Sequence, residues 1–403
     1  MKKLHILMAT TGFYPATAWG GPVTVVYQNA LELQRRGHKV TVATSNLLNK
    51  KDRIAPGYFQ QQTDGLEVHY LPMYNIKQWP GTLGPTMLSI KAKKILRSLI
   101  QDADIVHVNA VRNSISIQAG SLAFDLDKPF VIQPHGSTDI IMNTLLLKKL
   151  HNKFVLRKFL QRATAILALQ PTEVQQIILA GGFKNQIYII PNGFPDNRVR
   201  SKHKRNNLRN RLEISPDAKV ILSLGRINYK KGPDLLVKAF SSIPDNVRSD
   251  MVLMIVGPDD GQLSEVRELI TQHNLESHVR LPGLLTGDDV WMAYQTADLF
   301  VLPCRVDTFP MAIVEACQAR LPMVITDACE IANLLDEKVA RIVSVDVEAI
   351  AQGITHVLSN PDLSAKYKKG ANELMKTTFS IKAVGDQLEK LYRQALSDKK
   401  HAH

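Results

Sequence analysis

The feature that most constrains the fold is a unit that reads strand, loop, helix, strand. Leu4–Ala9 is a short, mostly apolar run, followed by a loop rich in glycine and proline, Thr10–Pro22. Val23–Arg36 then places Val26, Ala30 and Leu33 on one helical face, and Gly37 suits the C-terminal cap. Lys39–Thr44 reads as the next strand. A strand, a crossover helix and a second strand lie parallel in one sheet. Further strand candidates are Ile105–Asn109, Phe130–Gln133, Ala165–Leu169 and Ile187–Ile190. A second series begins near Lys219, with strand candidates Val220–Leu224, Val252–Val256, Val279–Leu281, Leu299–Leu302 and Met323–Thr326. Helical segments alternate with them at Asp234–Phe240, Leu263–His273, Asp288–Thr296 and Pro310–Ala319. The pattern predicts an α/β chain of two successive parallel-sheet domains, joined by the polar, basic stretch Pro191–Leu212. Such domains bind ligands at the carboxyl ends of their strands.

Composition narrows the function classes. The 403 residues are 45% hydrophobic and 22% charged, the balance of a globular protein. No run of about 18 apolar residues exists to cross a membrane. Met1-Lys2-Lys3 before an apolar run resembles a secretory leader, but the run is short, contains His5 and lacks a small-residue cleavage site. It reads instead as a buried first strand. Cys304, Cys317 and Cys329 are too few, and odd in number, for a disulfide framework. They lack the paired spacing of a structural zinc site, and a reducing cytosol fits them best. The net charge of +13 is uneven: Arg198–Leu212 holds 7 basic residues and no acid, and the half before it is basic. Phosphorylated ligands, anionic lipid or nucleic acid would suit such a surface. With aromatics at 6% and none interleaved with basic runs, nucleic acid is excluded as a partner.

Three segments carry chemistry. Gly20-Gly21-Pro22 opens the first helix, where backbone N–H groups can meet an anion. It is neither GxGxxG nor a Walker loop, and tight-turn packing explains such glycines equally well. Gly225-Arg226-Ile227-Asn228-Tyr229-Lys230-Lys231-Gly232 lies between a strand and a helix. Arg226 offers a planar fork and Lys231 a mobile point charge, together able to hold a diphosphate; the alternative is a solvated charge cluster. Asp307-Thr308-Phe309-Pro310-Met311-Ala312-Ile313-Val314-Glu315 places two carboxylates about a helix start, with helix capping the alternative for Asp307 and a solvated face for Glu315.

With these residues in view, the chain resembles retaining glycosyltransferases of family 4, of the GT-B fold. The matching pieces run in the family's order over nearly the whole length. They are Gly20-Gly21, Ala103-Asp104-Ile105-Val106-His107, Pro134-His135-Gly136 and Pro191-Asn192-Gly193. Gly225-Arg226 with Lys231-Gly232, Val256-Gly257, Asp307 through Glu315-Ala316, and Leu321-Pro322 complete them. The resemblance implies two Rossmann-like domains facing across a cleft: residues 1–196 on the acceptor side and 197–378 on the nucleotide-sugar side. Residues 379–403 would form a helix packing back on the first domain. It also implies roles. Arg226 and Lys231 would bind the diphosphate and Glu315 the ribose hydroxyls. Asp307 would contact sugar hydroxyls, with Thr308, Phe309, Pro310 and Met311 lining the donor site. His135 would lie at the reaction centre, and Gly20 and Gly21 would face phosphate and acceptor. Two departures stand out. Asp307 replaces the family's first Glu, one methylene longer, and Thr308-Phe309-Pro310 replaces Gly-Phe-Gly, removing one N–H at Pro310.

The implied activity is transfer of a hexosyl group from a UDP- or GDP-linked donor to a glycan or lipid-linked acceptor, in surface polysaccharide or lipopolysaccharide synthesis. No metal or further cofactor is expected, since Arg226 and Lys231 can supply the positive charge. Asp102-Ala103-Asp104 and Asp125-Leu126-Asp127 look like a DxD metal motif, but the first precedes a strand instead of following one. Residues 140–163 carry Lys148, Lys149, Lys153, Arg157, Lys158 and Arg162 among leucines and phenylalanines, with no acid from Ile140 to Ala163. That suits either contact with an anionic membrane from the cytoplasmic side or a core helix with a basic outer face. A nucleotide-sugar epimerase of the same fold and a non-catalytic GT-B scaffold remain the alternatives to a transferase.

Overall fold

The computed structural model describes residues 2–16, 19–49, 52–75, 86–111, 113–137, 155–195 and 202–401. The chain divides into two compact units. The first comprises Met1–Pro195 with Ser380–His403, the second Asp196–Phe379.

In the first unit, β1 (His5–Ala9), β2 (Lys39–Ser45), β3 (Phe59–Thr63) and β4 (Leu66–Leu71) share one sheet with four later strands. A separate ribbon pairs β5 (Met73–Asn75) with β6 (Thr86–Leu88). The later strands are β7 (Ile105–Asn109), β8 (Phe130–Gln133), β9 (Ala165–Ala168) and β10 (Ile187–Ile189), and the sheet order is β10-β9-β8-β7-β1-β2-β4-β3. Every pairing is parallel except β3 with β4. That edge hairpin lies outside the predicted strands, although Asp64-Gly65, both at positive φ, form the two-residue turn such hairpins favour. The inner strands β7 and β8 are buried along their whole length, which explains their unbroken apolar runs.

The second unit holds β11 (Lys219–Leu224), β12 (Met251–Val256), β13 (Val279–Gly283), β14 (Leu299–Leu302), β15 (Met323–Thr326) and β16 (Ala340–Val343). They are all parallel, in the order β13-β12-β11-β14-β15-β16. The chain winds outward from β11 to β13, then returns to β14 on the other side of β11. Such a reversal leaves a crevice at the carboxyl ends of β11 and β14. In the first unit the same reversal falls between β1 and β7.

Five helices carry or brace the loops above these strands: α1 (Gly21–Arg35), α2 (Pro171–Leu179), α3 (Pro233–Ser242), α4 (Met311–Ala319) and α5 (Ile381–His401). Helix α5 closes the first unit. Val384, Leu388, Leu391, Tyr392 and Ala395 form a buried stripe in the same core as Ile6, Met8, Ile105 and Val131. Arg36, just past α1, bonds Glu32 at 2.8 Å and Asp386 of α5 at 2.6 Å. The Tyr392 hydroxyl lies 2.6 Å from His107 Nδ1 in the middle of β7. Burial pushes His107 down to about 4.

In the second unit a disulfide joins Cys304, just beyond β14, to Cys329, just beyond β15, with Cα atoms 6.2 Å apart. One bridge is not a disulfide framework, in keeping with the low cysteine count. Count and spacing in sequence do not reveal that two adjacent strands end side by side. Cys317 is buried and free.

Two measurements test these contacts. The His107 value lies below the ordinary one of about 6.5, so the unfolded chain takes up the proton first as pH falls. The stability held by neutral His107 is complete above about pH 6.5 and lost as pH falls through about 4. Urea-unfolding midpoints should therefore drop over that window, and drop less in His107→Gln. Alkylation of the denatured, unreduced protein should label Cys317 alone, and all three cysteines after reduction, read by intact mass.

Candidate active site

The loop after β11 and the loop after β14 meet at the reversal point of the second sheet. Gly225 N–H donates to Val256 O at 2.9 Å, and a Cβ on Gly257 would sit 1.8 Å from Gly225 O. The β11 and β12 loops therefore touch backbone to backbone. Gly232, at φ 68°, ends the turn Tyr229–Lys231, and a Cβ there would lie 2.1 Å from Pro303 O in the β14 loop. Asn228 folds the turn by accepting from Lys231 N–H at 3.1 Å.

This contact brings together two residues distant in sequence. Lys231 Nζ donates to Asp307 Oδ2 at 2.5 Å, and the two side chains are 18% and 23% exposed. Asp307 Oδ1 accepts from Phe309 N–H at 3.2 Å. Helix α4 has no side-chain cap, so Asp307 serves the loop and Lys231 instead of capping the helix. Arg226 and Lys231 line one small depression with Leu224, Ile255 and Leu302. Arg226 is mostly exposed and donates to Asp260 Oδ2 at 3.0 Å, an acid that also accepts from Asn228 Nδ2 at 2.8 Å.

Glu315 lies on α4, with Oε2 accepting from the buried Tyr294 hydroxyl at 2.8 Å. Phe309 turns its ring inward, edge-on to Phe379, so only its backbone faces Asp307. Pro310 is buried as the residue before α4, while Thr308 and Met311 are half-buried. Arg305 forms a bidentate pair with the buried Asp234, at 2.8 and 2.6 Å. Burial would raise the Asp234 carboxyl, but the hydrogen bonds and charge of Arg305 hold it below the usual range.

His135, Gly20 and Gly21 belong to the first unit. His135 follows β8 at φ 54°, and its Nε2 lies 3.0 Å from Asn109 Oδ1 at the end of β7. Burial, with neighbouring His107 adding to it, pushes His135 down to about 3, so the ring is neutral near pH 7. With Asn109 Oδ1 as acceptor, Nε2 carries the proton and Nδ1 is left as an acceptor. The fully buried Glu173 of α2 takes Gly136 N–H and Leu169 N–H, each at 2.6 Å, and so fixes the His135 turn. Gly20 precedes α1, which has no side-chain cap and no acid in its first turn. Those features suit an incoming anion.

Sequence reasoning missed Asn109, Glu173, Asp234, Asp260, Tyr294 and Arg305. Each acts through a partner remote in sequence or through backbone donors, and neither leaves a local motif. Glu173 gave the one faint signal, an acid in the first turn after Pro171. In the basic segment 140–163, residues 140–154 lie outside the described residues. Arg157–Arg162 is helical, with Phe159 and Leu160 buried, and the Arg162 guanidinium lies 4.4 Å over the half-exposed Phe124 ring. Arg157 packs on Gly181, beside the exposed Leu179 and Phe183. No helix among the described residues is long and apolar enough to cross a membrane.

Two family models match the chain: glycosyltransferase family 4 over residues 19–198, and glycosyl transferases group 1 over residues 204–374. Mannosylfructose-phosphate synthase of Agrobacterium fabrum is 32% identical over 170 residues, which are 40% of this chain and 37% of that protein. N-acetyl-alpha-D-glucosaminyl L-malate synthase of Bacillus anthracis is 23% identical over 395 residues, 96% of this chain and 97% of that protein. Among solved structures, Anabaena HepE in complex with UDP and glucose aligns with a TM-score of 0.76 at 18% identity, over 97% of this chain and 100% of that chain.

Proposed function

The chain belongs to the family 4 glycosyltransferases, GT-B enzymes that use a nucleotide sugar, and we propose that it is a retaining, metal-independent hexosyltransferase. The observation that carries this reading is the meeting of Lys231 and Asp307 at 2.5 Å, beside the depression that Arg226 also lines. A nucleotide sugar presents a diphosphate next to a ring of hydroxyls. A cation beside a carboxylate matches that junction.

As the glycosidic bond breaks, negative charge grows on the departing diphosphate. Lys231 and Arg226 are cationic donors for it, supplying the charge that a metal supplies elsewhere. Asp307 accepts from sugar hydroxyls, and Glu315, braced by Tyr294, accepts from the ribose. The anomeric centre becomes oxocarbenium-like. A neutral His135 can accept a sugar hydroxyl at Nδ1 without repelling that centre. Gly20 and Gly21, at the uncapped start of α1, receive phosphate or acceptor. The donor is UDP- or GDP-linked, and the UDP complex of HepE supports a uridine nucleotide.

The acceptor we propose is a glycan or lipid-linked intermediate of surface polysaccharide or lipopolysaccharide synthesis, met at the cytoplasmic face of an anionic membrane. Arg157 against Gly181, between the exposed Leu179 and Phe183 in sequence, and Arg162 over the exposed Phe124 ring support that surface. Basic residues over apolar ones fit anionic headgroups above acyl chains.

A thermal-shift screen of UDP- and GDP-sugars identifies the donor, and acceptor-dependent release of the nucleoside diphosphate measures transfer. Lys231→Ala and Arg226→Ala should each lower turnover by roughly 100- to 1,000-fold. Asp307→Asn should lower turnover, because the amide offers one acceptor fewer to the sugar hydroxyls and no charge to orient Lys231. Near-normal transfer by the double Lys231→Ala, Arg226→Ala variant would refute the assignment, and release of an epimer without transfer would point to an isomerase. Arg157→Glu, Lys158→Glu and Arg162→Glu together should release the protein from anionic vesicles, at about 1 kcal/mol per basic residue. Equal binding of the unmutated chain to neutral and anionic vesicles would remove the membrane surface.

A further inference from the structure

Arg305 lies two residues before Asp307, yet every contact it makes here reaches the other side of the site. Its backbone N–H donates to Lys230 O at 2.7 Å. Its guanidinium takes Tyr229 O at 2.9 Å and both oxygens of Asp234, and lies 4.1 Å over the Tyr229 ring. These partners bracket Lys231 in sequence, from Tyr229 and Lys230 before it to Asp234 after it. Arg305 is 19% exposed and Asp234 only 4%, so this is a mostly buried, geometrically demanding pair. The planar fork fixes direction as well as charge, which a lysine could not do.

We infer that Arg305 is a positioning residue for Lys231. It clamps the turn Tyr229–Lys231 and the first turn of α3 to the β14 loop, so that the lysine amine is held where the diphosphate arrives. Arg305 itself stays off the donor, because Asp234 and the Tyr229 carbonyl and ring already engage its guanidinium. Without the guanidinium the turn keeps its Asn228 hydrogen bond and the backbone bond from position 305 to Lys230 O, but loses the side-chain hold on Tyr229 O and on the first turn of α3. Lys231 then samples positions from which it no longer meets the phosphate. The inference rests on the diphosphate role proposed for Lys231.

The test uses UDP and GDP as probes, with affinity measured by calorimetry. The paired variant Arg305→Leu, Asp234→Leu removes both charges and leaves neither one buried without its partner. Apolar replacement of a buried pair is often neutral, so melting should stay within about 5 °C of the unmutated chain. Affinity for the nucleoside diphosphate should nonetheless fall about tenfold, as in Lys231→Ala, the scale of one lost charge-assisted hydrogen bond. Combining the pair with Lys231→Ala should cost less than about twofold beyond Lys231→Ala alone, because both changes act through one amine. A merely structural clamp would leave affinity unchanged in the stable paired variant, or multiply the losses toward about 100-fold, and either result overturns the inference. Should the paired variant fail to fold, Arg305→Lys keeps the charge without the fork and is judged by the same non-additivity. Binding that ignores the clamp defeats the clamp alone. Absence of UDP and GDP binding by the unmutated chain defeats the diphosphate role itself, and the clamp with it.

Discussion

The second unit depends on one backbone contact. Where Gly232 passes the carbonyl of Pro303 there is no room for a Cβ, which would lie 2.1 Å from that oxygen. The strand-order reversal between β11 and β14 sends their connections to opposite faces of the sheet, yet here the two loops touch. Everything chemical in this unit is hung on that approach. Lys231 immediately precedes the glycine, and Asp307 lies four residues beyond the proline. A larger residue at position 232 would part the loops and with them the ion pair.

Around this contact three acids are paired with cations, and the deepest pair is the bidentate one. Asp234 with Arg305 is the most buried and is bidentate, as a desolvated carboxylate requires. Lys231 with Asp307 is intermediate in exposure, and Arg226 with Asp260 is open to water. This gradient sorts the pairs by use. A buried bidentate pair holds geometry because breaking it strands a charge. A half-exposed pair can exchange its partner for an arriving anion at modest cost, and an exposed guanidinium can turn toward one freely.

The first unit solves a different problem, which is to keep a histidine uncharged and aimed. Asn109 at the end of β7 and Glu173 at the start of α2 hold the His135 turn from two sides. Burial keeps the ring neutral. Helix α5, the last element of the chain, covers the same sheet and places Tyr392 against His107. The end of the sequence therefore completes the core of its beginning, and the first unit is discontinuous in the chain.

The sequence by itself determined the architecture. Unbroken apolar runs such as Val252–Val256, short and rich in branched residues, fit inner strands of a sheet covered on both faces, and their alternation with helices makes that sheet parallel. Arg226 and Lys231 between glycines, and the carboxylates Asp307 and Glu315 about a helix start, stood out in the sequence as candidates, while their roles came from the family resemblance. Polar edge strands such as Phe59–Thr63 were not legible, since they bury too little to leave a pattern. Only the tertiary structure decided which charges meet. That Asp307 takes Lys231 and not its helix terminus, that Arg305 turns back to Asp234, and that Cys304 joins Cys329 all follow from loops brought side by side by strand order. Pair interactions fall off within a few ångströms, and separation along the chain carries no information about that distance.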